Sequence, residues 1–191
     1  MSQFFSMKNL FSLAFILIFG WGFSQTDTAQ VVVPNRKNSV ASLAKPYVIL
    51  ISADGFRYDY AKKFNAKNIL KLLENGVSAK AMIPSYPSIT GPNHYTMITG
   101  LFPSHTGFVD NYFYDQKRKD SFGMSVQSKI SDGSWLGGIP LWSLAEQQGT
   151  LAASLFWVAS NSDAGGVRPT YYYQYHEKFS ADQKINTVLN W

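Results

Sequence analysis

The sequence predicts an α/β fold with a largely parallel sheet flanked by helices, and two observations carry that prediction. Val48, Ile49, Leu50 and Ile51 form an uninterrupted apolar run, the pattern of a parallel strand buried on both faces. Runs of strand character then alternate with longer segments of helical pattern, and such alternation argues for strands joined by crossover helices.

The first strand is placed at 47–52 and breaks into Ala53-Asp54-Gly55-Phe56-Arg57, with a helix at 60–75 and a second strand at 77–82 after it. Pro87 and Pro92 then bracket Ser88 to Gly91. The stretch 92–99 reads as a short helix with Pro at its first helical position, where a missing amide hydrogen costs little. Strand patterns follow at 107–114 and 151–157, with a helix at 141–148 between them. A last helix at 181–191 carries Ile185, Val188 and Leu189 on one side and ends at Trp191 without Gly, Pro or a polar tail. Trp191 is therefore expected to be the edge of a fragment or a premature stop.

Location is read from the first residues. Lys8 precedes an apolar run over 10–23, shorter than the roughly 20 residues of a spanning helix. Gly22-Phe23-Ser24 supplies small residues before Gln25, so 1–24 is expected to be a secretory signal peptide and the protein periplasmic or secreted. A membrane anchor is the alternative, and no stable membrane span is expected. The polar segment 25–45, with Pro34, reads as a linker, which leaves 46–191 as the domain. That is about 145 residues, enough for one core. Cysteine is absent from the 191 residues and the net charge is +5. Lys62, Lys63, Lys67, Lys71, Lys117, Arg118 and Lys119 fit solvated faces, and no nucleic-acid groove is evident.

The chemistry concentrates at two places. Asp54 stands past the carboxyl end of the first predicted strand, where ligands bind in open α/β sheets, and its carboxylate could hold zinc or magnesium. The competing reading makes Asp54-Gly55 a plain turn. Thr90 lies just before a helix start, where open N–H groups and the helix dipole receive phosphate. Its hydroxyl is a poor nucleophile unless a base or a metal activates it, and no histidine is placed as an obvious base, so activation by a metal is expected. The competing reading makes Ser88 or Thr90 an N-cap. His94, four residues on, is expected to pack or cap.

Taken together, Ser52-Ala53-Asp54-Gly55-Phe56-Arg57, Pro87-Ser88-Ile89-Thr90-Gly91-Pro92-Asn93-His94-Tyr95 and Thr99 to Gly107 running into Asp110-Asn111 resemble one family. It is the nucleotide pyrophosphatase/phosphodiesterases of the alkaline phosphatase superfamily. Phe156-Trp157 and Arg168-Pro169-Thr170-Tyr171-Tyr172 look like its later segments, so the likeness runs from about Pro46 to the end. It implies the N-terminal part of an alkaline-phosphatase-like domain that hydrolyses phosphodiester or pyrophosphate bonds, with nucleotide-like small molecules as substrates. By this resemblance Asp54 matches a ligand of one of two zinc ions. Thr90 matches the nucleophile that also contacts that zinc, and Asn111 matches the donor to a phosphate oxygen. Tyr172 matches one wall of a base pocket. Without the resemblance, Asp110-Asn111 reads as a turn and the tyrosine strip as packing.

The chain also departs from the pattern. Nucleotide-acting members of the family place an aromatic residue directly after the nucleophile, where stacking contributes on the order of 1–3 kcal/mol; here Gly91 follows Thr90. The remaining family ligands, an Asp with a His four residues later, an Asp-His pair and a final His, do not occur in the sequence. A phosphomonoesterase of the same superfamily, and a non-catalytic exported fragment, stand as the alternative expectations.

Overall fold

Among the described residues, secondary structure begins inside the segment read as a linker. The structure is a computed structural model and describes residues 29–191; the expected signal peptide and the first linker residues lie outside the described residues. Strand β1 is Val31–Val32 and helix α1 is Val40–Leu43, capped by the Ser39 hydroxyl on the Ser42 N–H. Helices α2, Tyr60–Lys63, and α3, Lys67–Asn75, come next. After them stand α4, Thr90–Thr99, and α5, Pro103–Thr106. The hairpin of β2, Tyr112–Asp115, and β3, Asp120–Gly123, leads to α6, Gln127–Ile130. Helix α7, Leu141–Gln147, strands β4, Ala153–Ser154, and β5, Tyr171–Tyr172, and helix α8, Ala181–Leu189, complete the order.

The sheet runs β1-β5-β4. The expected parallel pairing is present between β4 and β5, with Ser154 opposite Tyr172, while β1 adds an antiparallel edge with Val31 opposite Tyr172. The β2–β3 hairpin stands apart. At its turn the Asp115 carboxylate accepts from the Lys117 and Arg118 N–H groups. Those bonds, the Arg118 amide first, hold the Asp115 carboxyl below the usual carboxylate range.

The core lies between the hairpin and α4. Tyr95, Phe108 and Phe122 are fully buried and pack with Trp135, Trp142 and Ile98. Phe108 meets Phe122 edge-on at 5.2 Å, and Phe113 stacks on Phe122 at 5.0 Å. Aromatic burial of this kind stabilises by about 1.5–3 kcal/mol per ring. It fixes α4 against the loop that carries Asn111. Burial also pushes the Tyr95 phenol well above its ordinary pKa.

Several expected elements differ. Residues 47–52 form no strand and stand open, with Val48 86% and Ile51 83% exposed. A strand buried on both faces needs strands beside it and helices over it, and none pairs with this run among the described residues. The same holds for 77–82, where Val77 is fully exposed. The helix expected over 60–75 is split, because Asn65 takes a left-handed φ of 49° between α2 and α3. Asparagine enters that region more readily than other side chains. The strand expected from Gly107 begins only at Tyr112, since Gly107, at φ 76°, ends α5 in the left-handed conformation. Helix α7 agrees with its sequence reading. Helix α8 agrees as well, opened by a capping box of Ser180 and Gln183.

The described part of the segment read as a tether is docked. Arg36 donates to the Arg168 carbonyl at 2.6 Å and stands 3.5 Å from Glu146, whose side chain is only 4% exposed. Glu146 also accepts from the Ala152 and Thr170 N–H groups, which tie β4 and β5 to α7. Farther along, Asn38 accepts from Leu151 N at 2.7 Å, and the Ser42 and Thr150 hydroxyls lie 2.7 Å apart. Arg36→Ala leaves a buried carboxylate without its cation, so urea unfolding should show a loss of about 1–3 kcal/mol. An unchanged midpoint would mean the strap contributes no stability.

Candidate active site

Helix α4 starts at Thr90, two residues before the expected start at Pro92. The reason is simple: the first four N–H groups of a helix have no partner inside it, so the one Pro92 lacks is not missed. Asn93 accepts from Ser85 N at 3.0 Å, which folds the incoming loop back onto the first turn. Gly100, left-handed at φ 70°, closes the far end with its N–H on Thr96 O.

Thr90 therefore presents its hydroxyl at a helix N-terminus, half-buried. Its Oγ1 donates to Asp54 Oδ2 at 3.1 Å. Asp54 stands in a turn closed by Phe56 N on Ala53 O, with Gly55 at φ 68°. The turn expected at Asp54-Gly55 is thus present, and it delivers the carboxylate to Thr90. Asn111 is brought to the same helix start, its Oδ1 accepting from Gly91 N at 2.8 Å. Because an N–H can only donate, the carboxamide orientation is settled by this bond. The two Nδ2 hydrogens have no protein acceptor among the described residues. The turn role falls to Asp110, whose Oδ1 takes the Tyr112 N–H.

Gly91 is required by close approach. A Cβ there would sit 2.5 Å from Phe108 Cζ and 2.6 Å from Asn111 Oδ1. Phe108 is fully buried, packed against Tyr95 and Phe122.

Tyr172 lies in β5 between β1 and β4 and makes no hydrogen bond to Asp54, Thr90 or Asn111 among the described residues. Strand alternation divides the tyrosine strip. Tyr171 and Tyr173 pack against Trp191 at 6.5 and 6.2 Å, and Tyr172 takes the opposite face. A pocket of about 300 Å³ beside Trp191 is lined by Gln30, Tyr171 and Tyr173 and shares no residue with the Thr90 group.

For a metal, Asp54 and Thr90 are two oxygen donors 3.1 Å apart. Two oxygens on a tetrahedral zinc at about 2.0 Å would stand about 3.3 Å apart, so this pair fits one edge of a single coordination shell. Among the described residues no group of three or more His, Cys, Asp or Glu could hold an ion. His105 is exposed beside Ser104, and His176 is buried against Phe156 and Phe179. Two zinc ions are thus not accommodated by these residues alone. Ser52 and Trp157 fall inside the motifs but carried no assigned role, and the one-turn spacing of Thr90 and His94 places those two on one helix face.

A hydroxyl at a helix start, a carboxylate on that hydroxyl and a primary amide beside it form the kind of arrangement that acyl- or phosphoryl-transfer chemistry requires, on an α/β frame. The model of the family described as type I phosphodiesterase / nucleotide pyrophosphatase matches residues 48–191, and the chain belongs to that family, within the alkaline phosphatase superfamily. Mouse ectonucleotide pyrophosphatase/phosphodiesterase family member 3 is 39% identical over 148 residues, 76% of this chain and 17% of the relative. The structure of human ectonucleotide pyrophosphatase/phosphodiesterase 5 superposes with a TM-score of 0.69 at 29% identity, covering 73% of this chain and 37% of that one. Its murine counterpart, an inactive threonine-to-alanine variant in complex with AMP, gives a TM-score of 0.68 at 28% identity, with the same coverage of 73% and 37%. The chain thus spans less than two-fifths of the length of these relatives.

Proposed function

We propose that this chain is the part of an exported phosphodiesterase that carries the nucleophile, acting on phosphodiester or pyrophosphate bonds of nucleotide-like small molecules. The observation that carries the reading is the Thr90 hydroxyl held on Asp54 at the start of α4, next to the Asn111 amide. The murine neighbour, inactive as a threonine-to-alanine variant and bound to AMP, supports the same assignment.

In this reading Thr90 Oγ1 attacks phosphorus in line, its proton passing toward the Asp54 carboxylate, while the bond from phosphorus to the leaving oxygen breaks. The leaving oxygen takes a proton from water. A second water then attacks the phosphorus–Thr90 ester and restores the hydroxyl. The Asn111 Nδ2 hydrogens meet the non-bridging oxygen that gains charge. Because an amide is a neutral donor, it suits a diester monoanion better than a monoester dianion. Asp54 and Thr90 are the residues that would hold zinc, which when bound stabilises the threonine alkoxide as a Lewis acid. Export, to a periplasm or outside the cell, rests on the signal-peptide pattern in 1–24. Among the described residues no helix is long and apolar enough to cross a membrane.

Bis(p-nitrophenyl) phosphate should be hydrolysed faster than p-nitrophenyl phosphate. Chelation should stop turnover and zinc restore it. A preference for the monoester would favour the phosphomonoesterase alternative. Absence of both turnover and bound zinc would favour a non-catalytic fragment.

A further inference from the structure

His94 links the two halves of the proposed site. It lies one turn beyond Thr90 on α4, 7% exposed, and every polar atom of its ring is engaged. Nδ1 is 2.8 Å from Thr90 O, and Nε2 is 3.0 Å from Ser52 Oγ. A carbonyl oxygen only accepts, so Nδ1 carries the hydrogen. In a neutral imidazole Nε2 is then the acceptor, and the Ser52 hydroxyl donates to it. The ring is held laterally by Trp157, edge-on at 5.9 Å, and the Trp157 indole N–H bonds back to His94 O at 3.2 Å.

The consequence comes from what Ser52 and Thr90 adjoin. Ser52 is two residues before Asp54, in a segment that no strand pairing holds among the described residues. Thr90 carries the hydroxyl that Asp54 accepts. Only two side-chain hydrogen bonds join 47–57 to α4, namely Ser52 to His94 and Asp54 to Thr90. Without the first, the exposed Asp54 turn would be held to α4 by the second alone.

We propose that His94 is a positioning residue that, as its Nδ1–H tautomer, clamps the Thr90 carbonyl and the Ser52 hydroxyl into one unit and so sets Asp54 against the nucleophile. It touches no reacting atom, and it rests on the phosphodiesterase reading for its catalytic meaning. Misplacing a reacting group by about 1 Å costs on the order of 100-fold in rate.

The test combines spectroscopy with kinetics on the intact protein. Long-range ¹H–¹⁵N spectra at pH 8, with the His94 signals identified from their loss in His94→Gln, should show a protonated Nδ1 and a bare Nε2. Ser52→Ala should move the Nε2 resonance alone. In His94→Phe, which keeps a ring beside Trp157, the backbone amide of Asp54 should shift and lose protection from exchange. Turnover of bis(p-nitrophenyl) phosphate should fall by about 100-fold through kcat, with KM within about twofold. His94→Gln, which can still donate and accept, should recover part of that loss, and adding Ser52→Ala to His94→Phe should cost nothing more. An Nε2–H tautomer, or an Asp54 amide indifferent to His94→Phe, would overturn the proposal. So would equal losses in the Phe and Gln variants. Should the wild-type protein lack turnover altogether, the phosphodiesterase reading fails while the tautomer and the Asp54 amide still decide the clamp.

Discussion

Replacing Thr90 by alanine is expected to lower turnover of bis(p-nitrophenyl) phosphate by a factor on the order of 10⁴ or more. The substitution removes one hydroxyl and its hydrogen bond to Asp54, and little else. Thr90 is the first residue of α4, and alanine is the best helix former. The backbone bonds that shape the site, Gly91 N to Asn111 and Asn93 to the incoming loop, involve no Thr90 side-chain atom. Circular dichroism and thermal midpoint should therefore match the wild type while kcat collapses. Thr90→Ser keeps a hydroxyl in reach and should retain a measurable share of the rate. An alanine variant that kept more than about a tenth of the wild-type rate would place the nucleophile elsewhere.

Asn111→Ala is the second large effect, a fall of about 10²–10³-fold in kcat with little change in KM. Asn111 is held by its oxygen, which leaves its two amide hydrogens pointing away from the Gly91 bond. A donor fixed before substrate arrives costs no reorganisation when charge develops on the phosphate oxygen. Asn111→Asp keeps the shape, removes the donors and adds repulsion, so it should be the slower variant. If steady-state kinetics instead gave a raised KM at constant kcat, Asn111 would be a substrate contact with no preference for the transition state.

Gly91 bears on the same amide from the other side. Grafting phenylalanine there, to supply the aromatic residue that the family resemblance implies after the nucleophile, should fail in this backbone. Its Cβ meets Phe108 and Asn111 at under 2.7 Å. Overpacking of that kind costs about 1–3 kcal/mol. The expected result is a lower melting temperature and a lower kcat with no gain in affinity for AMP. A stable variant with tighter AMP binding would show that Phe108 can move.

The sequence carried the site further than it carried the sheet. Asp54 and Thr90 were legible from short motifs of turn and helix-start residues, whose geometry is set by neighbours in the chain, whereas Asn111 came only from the family resemblance. The structure joins all three through hydrogen bonds to α4. Helices α7 and α8 were legible for the same local reason. Asn65 also had a local signal, a residue able to turn left-handed inside a helical pattern, but periodicity outweighed it in the reading of 60–75. Residues 29–45 went the other way, since polar composition says nothing of the Glu146 carboxylate more than a hundred positions on that receives Arg36.

What the sequence determined by itself, then, was the α/β class and the turn and helix start that bear the candidate carboxylate and hydroxyl. Only the tertiary structure decided that Gly91 is closed off by Phe108, that Tyr172 sits between β1 and β4, and that His94 spans Ser52 and Thr90. The division has a physical cause. Turns and helix starts are closed by bonds a few residues long, whereas strand pairing, ring packing and side-chain clamps depend on partners tens of residues away, whose approach no local pattern encodes.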